Sequence, residues 1–141
     1  MHPGGLITSA PAVLTVSAAV SVVRGGLKRE VWYNTSGVNV ASLTGLPVYP
    51  LCPDATGFVT EAEAPRNVGV SYGQRLSGWV VPPVSGNYTF YLATDDAGEL
   101  WLSPDANPAG KVKIAQISSF ATFRNYSAGP SGVISLVAGQ R

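Results

Sequence analysis

Two neighbouring carboxylates, Asp95 and Asp96, are the residues of this chain best suited to chemistry. Adjacent negative charges repel unless a cation or a set of donors screens them, and clustered carboxylate oxygens are what a hard cation such as Ca²⁺ takes as ligands. The same residues also suit a solvated polar turn, because Asp bonds to its own backbone and Gly tolerates left-handed geometry. Trp101 follows closely, out of phase with Leu100 and Leu102, and its ring could stack on the C–H face of a sugar or be covered by a neighbouring loop. Asp105 and Asn107 could add oxygens from the next loop, yet the prolines around them mark an ordinary turn.

Other chemistries lack their parts. Cys52 is the only cysteine, so an internal disulfide, a zinc knot and a CxxC redox pair are all excluded, and it reads as the filler of a small apolar gap. His2 is the only histidine, which excludes a Ser-His-Asp or Cys-His constellation and a multi-histidine metal site. An ordinary hydrolase mechanism has few parts to use, a carboxylate-only mechanism stays formally open, and the chain reads as non-catalytic. Nine Lys and Arg against eight Asp and Glu, all scattered, leave no basic stripe for a phosphate backbone, so nucleic acid is not an expected partner.

The carboxylate pair lies between two patterns of period two. Tyr88, Phe90 and Leu92 alternate with Thr89, Tyr91 and Ala93, and Leu100 and Leu102 alternate with Glu99 and Trp101, as in half-buried strands. Further strands are expected at Leu27 to Tyr33, whose charged and aromatic mixture suits an exposed strand, at Tyr72 to Val81, at Lys111 to Ile117 and at Gly132 to Val137. Pro82-Pro83 and Ser85-Gly86-Asn87 supply a turn, giving a hairpin-like antiparallel succession. Residues 34–71 are punctuated by Pro47, Pro50, Pro53 and Pro65 and read as a long surface connection with short ordered pieces, of a length that tends to be functional or well tied down. No helical periodicity and no repeat stands out. Trp32 and Trp79 read as packing residues.

Composition agrees. A chain of 141 residues with 16 Gly, 11 Pro, 12% charged residues and a net charge of +1 is one turn-rich β domain with a single core. The uncharged stretch from Gly4 to Val23 lacks a basic flank, is broken by Pro11 and alternates around Ala12 to Ser17, so it reads neither as a signal peptide nor as a membrane span. Residues 5–16 resemble the closing strand of an immunoglobulin-like module, with 17–23 as linker.

Gly78-Trp79-Val80-Val81-Pro82-Pro83, Ser85-Gly86-Asn87-Tyr88-Thr89-Phe90, Asp95-Asp96, Glu99-Leu100-Trp101-Leu102-Ser103 and Ile134 to Gln140, in that order, resemble the protective-antigen-type (PA-fourteen) β-sandwich domain. The resemblance runs from residue 24 to the C-terminus and implies an all-β, antiparallel, jelly-roll-like sandwich. It also implies a secreted or cell-surface module of a larger protein that often binds carbohydrate. In sugar-binding members the paired aspartates are joined by a cis peptide and chelate a Ca²⁺ whose open positions accept sugar hydroxyls. Carried over, this makes Asp95 and Asp96 the metal ligands, with Trp101 as a further ligand-binding candidate. Members usually continue past the position of Arg141 with a loop bearing more Ca²⁺ ligands, so the chain is expected to be an incomplete sandwich. Two functional classes follow: a calcium-assisted glycan-binding or adhesion module, and a structural spacer or protein–protein contact module whose aspartates only cap a loop.

Overall fold

The structure, a computed structural model, describes residues 25–140. The reading of residues 1–23 as an immunoglobulin-like strand and linker lies outside them. Seven strands and little else regular form an all-β, sandwich-like fold of antiparallel sheets: β1 (Leu27–Tyr33), β2 (Ala55–Val59), β3 (Tyr72–Ser77), β4 (Gly86–Tyr88), β5 (Gly98–Leu102), β6 (Val112–Ile117) and β7 (Ile134–Leu136). The sheets run β2-β1-β3, β4-β7 and β5-β6. One short helix, α1 (Val40–Thr44), and a 3₁₀ turn at Pro108–Gly110 complete the regular elements among the described residues.

β1 is the centre of its sheet and the most buried strand, not an exposed one. Its charged residues misled because their charges are answered within the sheet. Glu30, only 3% exposed, accepts from Lys28 Nζ at 2.6 Å and from Arg75 Nε at 2.8 Å, and Arg75 stands directly opposite it in the β1–β3 register. Burial alone would push the Glu30 carboxyl up, but the bonds from Lys28 and Arg75 outweigh it and hold the group below its ordinary 4.5. Trp32, on the same strand face, is fully buried against Tyr49, with ring centroids 5.0 Å apart, and the Arg75 guanidinium lies near both rings.

Residues 34–71 are tied down at many points. Thr35 N–H donates to Ser71 O, Tyr33 N–H donates to Asp54 Oδ2, and Tyr49, beside the cis Tyr49–Pro50 peptide, closes the Trp32 side of the core. α1, unforeseen because it is a single turn too short to show a period, packs on β3, where Leu43 fills the space a side chain at Gly73 would need. Cys52 fills no gap. It is exposed, because the proline-rich turns after α1 carry it along the surface. Trp79 is likewise 53% exposed, since β3 ends at Ser77 and the prolines that follow cannot continue a ladder.

The expected hairpin of the third and fourth strands does not form, for β3 pairs with β1 whereas β4 pairs with β7. The core beyond β1 comes from Ala115 and Ile117 of β6 and from Ala121. Gly129 packs its bare backbone onto Ile117 and the Leu92 carbonyl, where a Cβ would overlap both.

Gly129→Ala should therefore destabilise the fold by about 1–3 kcal/mol in urea denaturation. Glu30→Gln should cost about 1–3 kcal/mol at neutral pH, since two cations lose their buried partner. Because the folded carboxyl is depressed, the unfolded chain binds its proton more readily. Wild-type stability should fall as the pH drops below about 4.5 and through the folded value, and the Gln variant should lack that part of the slope.

Candidate functional site

Asp95 and Asp96 sit where the chain changes partners. Upstream, the strand continues past β4 as a loose extension: Ser131 N–H donates to Phe90 O at 2.7 Å, Tyr91 bridges Pro130, and Leu92 N–H donates to Gly129 O at 2.9 Å. Downstream, Ala121 N–H donates to Thr94 O at 2.8 Å and Asp95 bridges Phe120, in the same register that later pairs Gly98 with Ile117. The aspartates thus lie at the crossover between the two ladders. They do not form the tip of a hairpin between the strand patterns that flank them.

Backbone contacts from three directions hold this corner. Thr94 and Asp95 are fixed to residues 120 and 121, Ala97 N–H donates to Val38 O at 3.1 Å, and Gly98 is buried in β5. Gly98 has no room for a Cβ because the Thr94 side chain covers its α-carbon. The Thr94 hydroxyl itself is buried without a hydrogen-bond partner. The peptide between Asp95 and Asp96 is cis.

The side chains contrast with this backbone. Both aspartates are exposed, and neither carboxylate has a hydrogen bond or ion pair among the described residues. Their oxygens suit a hard cation in type, but no group of three or more His, Cys, Asp or Glu side chains gathers among the described residues. Two carboxylates supply part of a Ca²⁺ shell of about six to eight oxygens, so backbone carbonyls, water or ligand hydroxyls must provide the remainder.

Trp101 does not join the pair. It faces Lys113 at the far end of the β5–β6 ladder, about 15–20 Å along the strand from Asp95. The ring is 45% exposed and its N–H donates to Glu99 Oε2 at 3.0 Å, while Lys113 pairs with the other Glu99 oxygen at 3.0 Å. Asp105 and Asn107 are used locally, their oxygens accepting from the N–H groups of Asn107 and Ala109 to close the 3₁₀ turn. Phe120, 56% exposed beside Asp95, was missed by sequence reasoning, because nothing in the local pattern links it to an aspartate so distant in the chain.

The chain resembles short segments of much larger proteins. It is 30% identical over 118 residues to mouse (Mus musculus) N-acetyl-beta-glucosaminyl-glycoprotein 4-beta-N-acetylgalactosaminyltransferase 1, covering 82% of this chain and 11% of that protein. Fibrocystin of Canis lupus familiaris is 30% identical over 113 residues, 78% of this chain and 3% of its own length. Mouse Fibrocystin-L is 31% identical over 102 residues, 68% of this chain and 2% of its own length. No family profile matches the chain, and no solved structure matches it. No helix among the described residues is long and apolar enough to cross a membrane.

Gly98→Ala should force Thr94 aside and lower stability by about 1–3 kcal/mol, and Thr94→Ala should offset much of that loss in the double variant. A thermal-denaturation cycle over the four proteins measures the coupling. Additive losses would show that the two residues do not hold the corner together.

Proposed function

We propose that the chain is a non-catalytic carbohydrate-binding module of a larger secreted or cell-surface protein, with Asp95 and Asp96 holding a Ca²⁺ that accepts sugar hydroxyls. The observation that carries this reading is the contrast at the crossover: a backbone fixed on three sides presents two exposed carboxylates that no described residue answers. A turn-capping role would use those oxygens on nearby N–H groups, as Asp105 and Asn107 do. The bound ion would supply positive charge for neutral hydroxyl oxygens, and Asp95 and Asp96 would fix its position.

Further support comes from the resemblance to the protective-antigen-type domain in the order of its motifs. Likeness to small segments of far longer proteins suits a module that works beside other domains, which are then its partners in the same polypeptide. One of those relatives is, by name, a transferase acting on glycoprotein sugars.

Calcium titration by calorimetry tests the reading, comparing the wild-type chain with Asp95→Asn/Asp96→Asn. Saturable binding with a Kd on the order of 10⁻⁴–10⁻³ M, weakened at least tenfold in the double variant, is expected for an extracellular module. A folded wild-type chain that gives no saturable heat would leave the spacer or protein–protein contact module.

A further inference from the structure

Asp95, Glu99 and Trp101 stand opposite Phe120, Gln116 and Lys113, with a register shift after Leu100, and the Trp101 ring N–H donates to Glu99 on the face those two share. Beside this face, between Asp96 and Trp101 in chain order, lies a groove of about 250 Å³ lined by Ala97, Glu99, Gln116 and Ser118 and by Asn39 at the start of α1, with the aspartates and Trp101 outside its lining. Resting on the proposed calcium site at Asp95 and Asp96 for its anchor, we infer that the face is an extended subsite for a neutral oligosaccharide. The ring held at Asp95 and Asp96 would continue along β5 and β6 toward Trp101.

Hydrogen bonding at the groove is unused. Asn39 occupies the N-cap of α1, where an Asn side chain ordinarily accepts a helix N–H, yet it makes no capping bond. Neither its amide, the Gln116 amide nor the Ser118 hydroxyl has a partner among the described residues. Two amides and a hydroxyl, each both donor and acceptor, match the vicinal hydroxyls of a sugar.

Charge argues for a neutral ligand. The charged side chain lining the groove, Glu99, is already engaged by Lys113 and by the Trp101 ring N–H, which leaves no unpaired cation in the lining to favour an anionic sugar. Those bonds also fix the edge of the indole, so its exposed surface is held in place before a ring stacks on it. The distance along the ladder from Asp95 to Trp101 exceeds one sugar ring, and the groove has room for about one.

The test is a calcium-containing array of neutral mono- to tetrasaccharides of glucose, galactose, mannose, N-acetylglucosamine and N-acetylgalactosamine. Binders are then titrated with the wild-type chain, with Asn39→Ala/Gln116→Ala and with Trp101→Ala, each checked for folding by circular dichroism. Tri- or tetrasaccharides should bind at least about tenfold more tightly than the matching monosaccharide, and both variants should lose that gain while keeping monosaccharide affinity. Equal affinity across lengths, an unchanged gain in the variants, or no binder at all would overturn the subsite. The calcium site at Asp95 and Asp96 stands or falls separately: calcium-dependent monosaccharide binding without a length effect retains it. Oligosaccharide binding that persists in chelator and in Asp95→Asn/Asp96→Asn would reject the calcium site and retain the groove.

Discussion

A carboxylate and an indole buried side by side in one central strand set the terms for the rest of this domain. Glu30 and Trp32 occupy the same face of β1, and neither can be buried alone: an ionised carboxylate without partners is too poorly solvated to stay inside, and a whole indole needs walls. Arg75 serves both, pairing with Glu30 and lying near the rings of Trp32 and Tyr49. Tyr49 can reach Trp32 only if the long segment after β1 returns across the sheet. The course of residues 34–54 is in that sense dictated by the strand they leave.

That return has consequences at the other end of the molecule. On its way the segment lends the Val38 carbonyl to Ala97 and places Asn39 on the groove that Glu99 of β5 and Gln116 of β6 also line. The aspartate corner is consequently held by chain from residues 38, 94–98 and 120–121, which belong to no common element. Gly129, packed without a side chain between Leu92 and Ile117, lets the β4 extension approach β6 closely enough for the crossover to occur. A corner held by backbone in this way leaves both carboxylates exposed and without partners among the described residues.

Strand positions were largely readable from the sequence, because alternation records which face of a strand meets the core. Leu27–Tyr33 and the β5 and β6 segments stand where their patterns place them. Partner choice was not readable. Tyr88, Phe90 and Leu92 alternate like a full strand, but only three residues, Gly86–Tyr88, pair regularly before the chain loosens toward its crossover. β1 looked exposed because a sequence shows its charges and hides the ions that neutralise them. Cys52 and Trp79 were assigned to packing by residue type, and their turns carry them to the surface instead.

By itself the sequence determined an antiparallel β domain with paired carboxylates between two strand patterns, since residue type and period are local properties of the chain. Tertiary structure decided that β1 is central, that the aspartates mark a change of ladder, that Trp101 lies at the opposite end of the β5–β6 ladder, and that Asn39, Gln116 and Ser118 line one groove. Those facts depend on which distant segments share hydrogen bonds. Pairing energy comes from side chains meeting across strands, and no stretch of sequence read alone contains both halves of a pair.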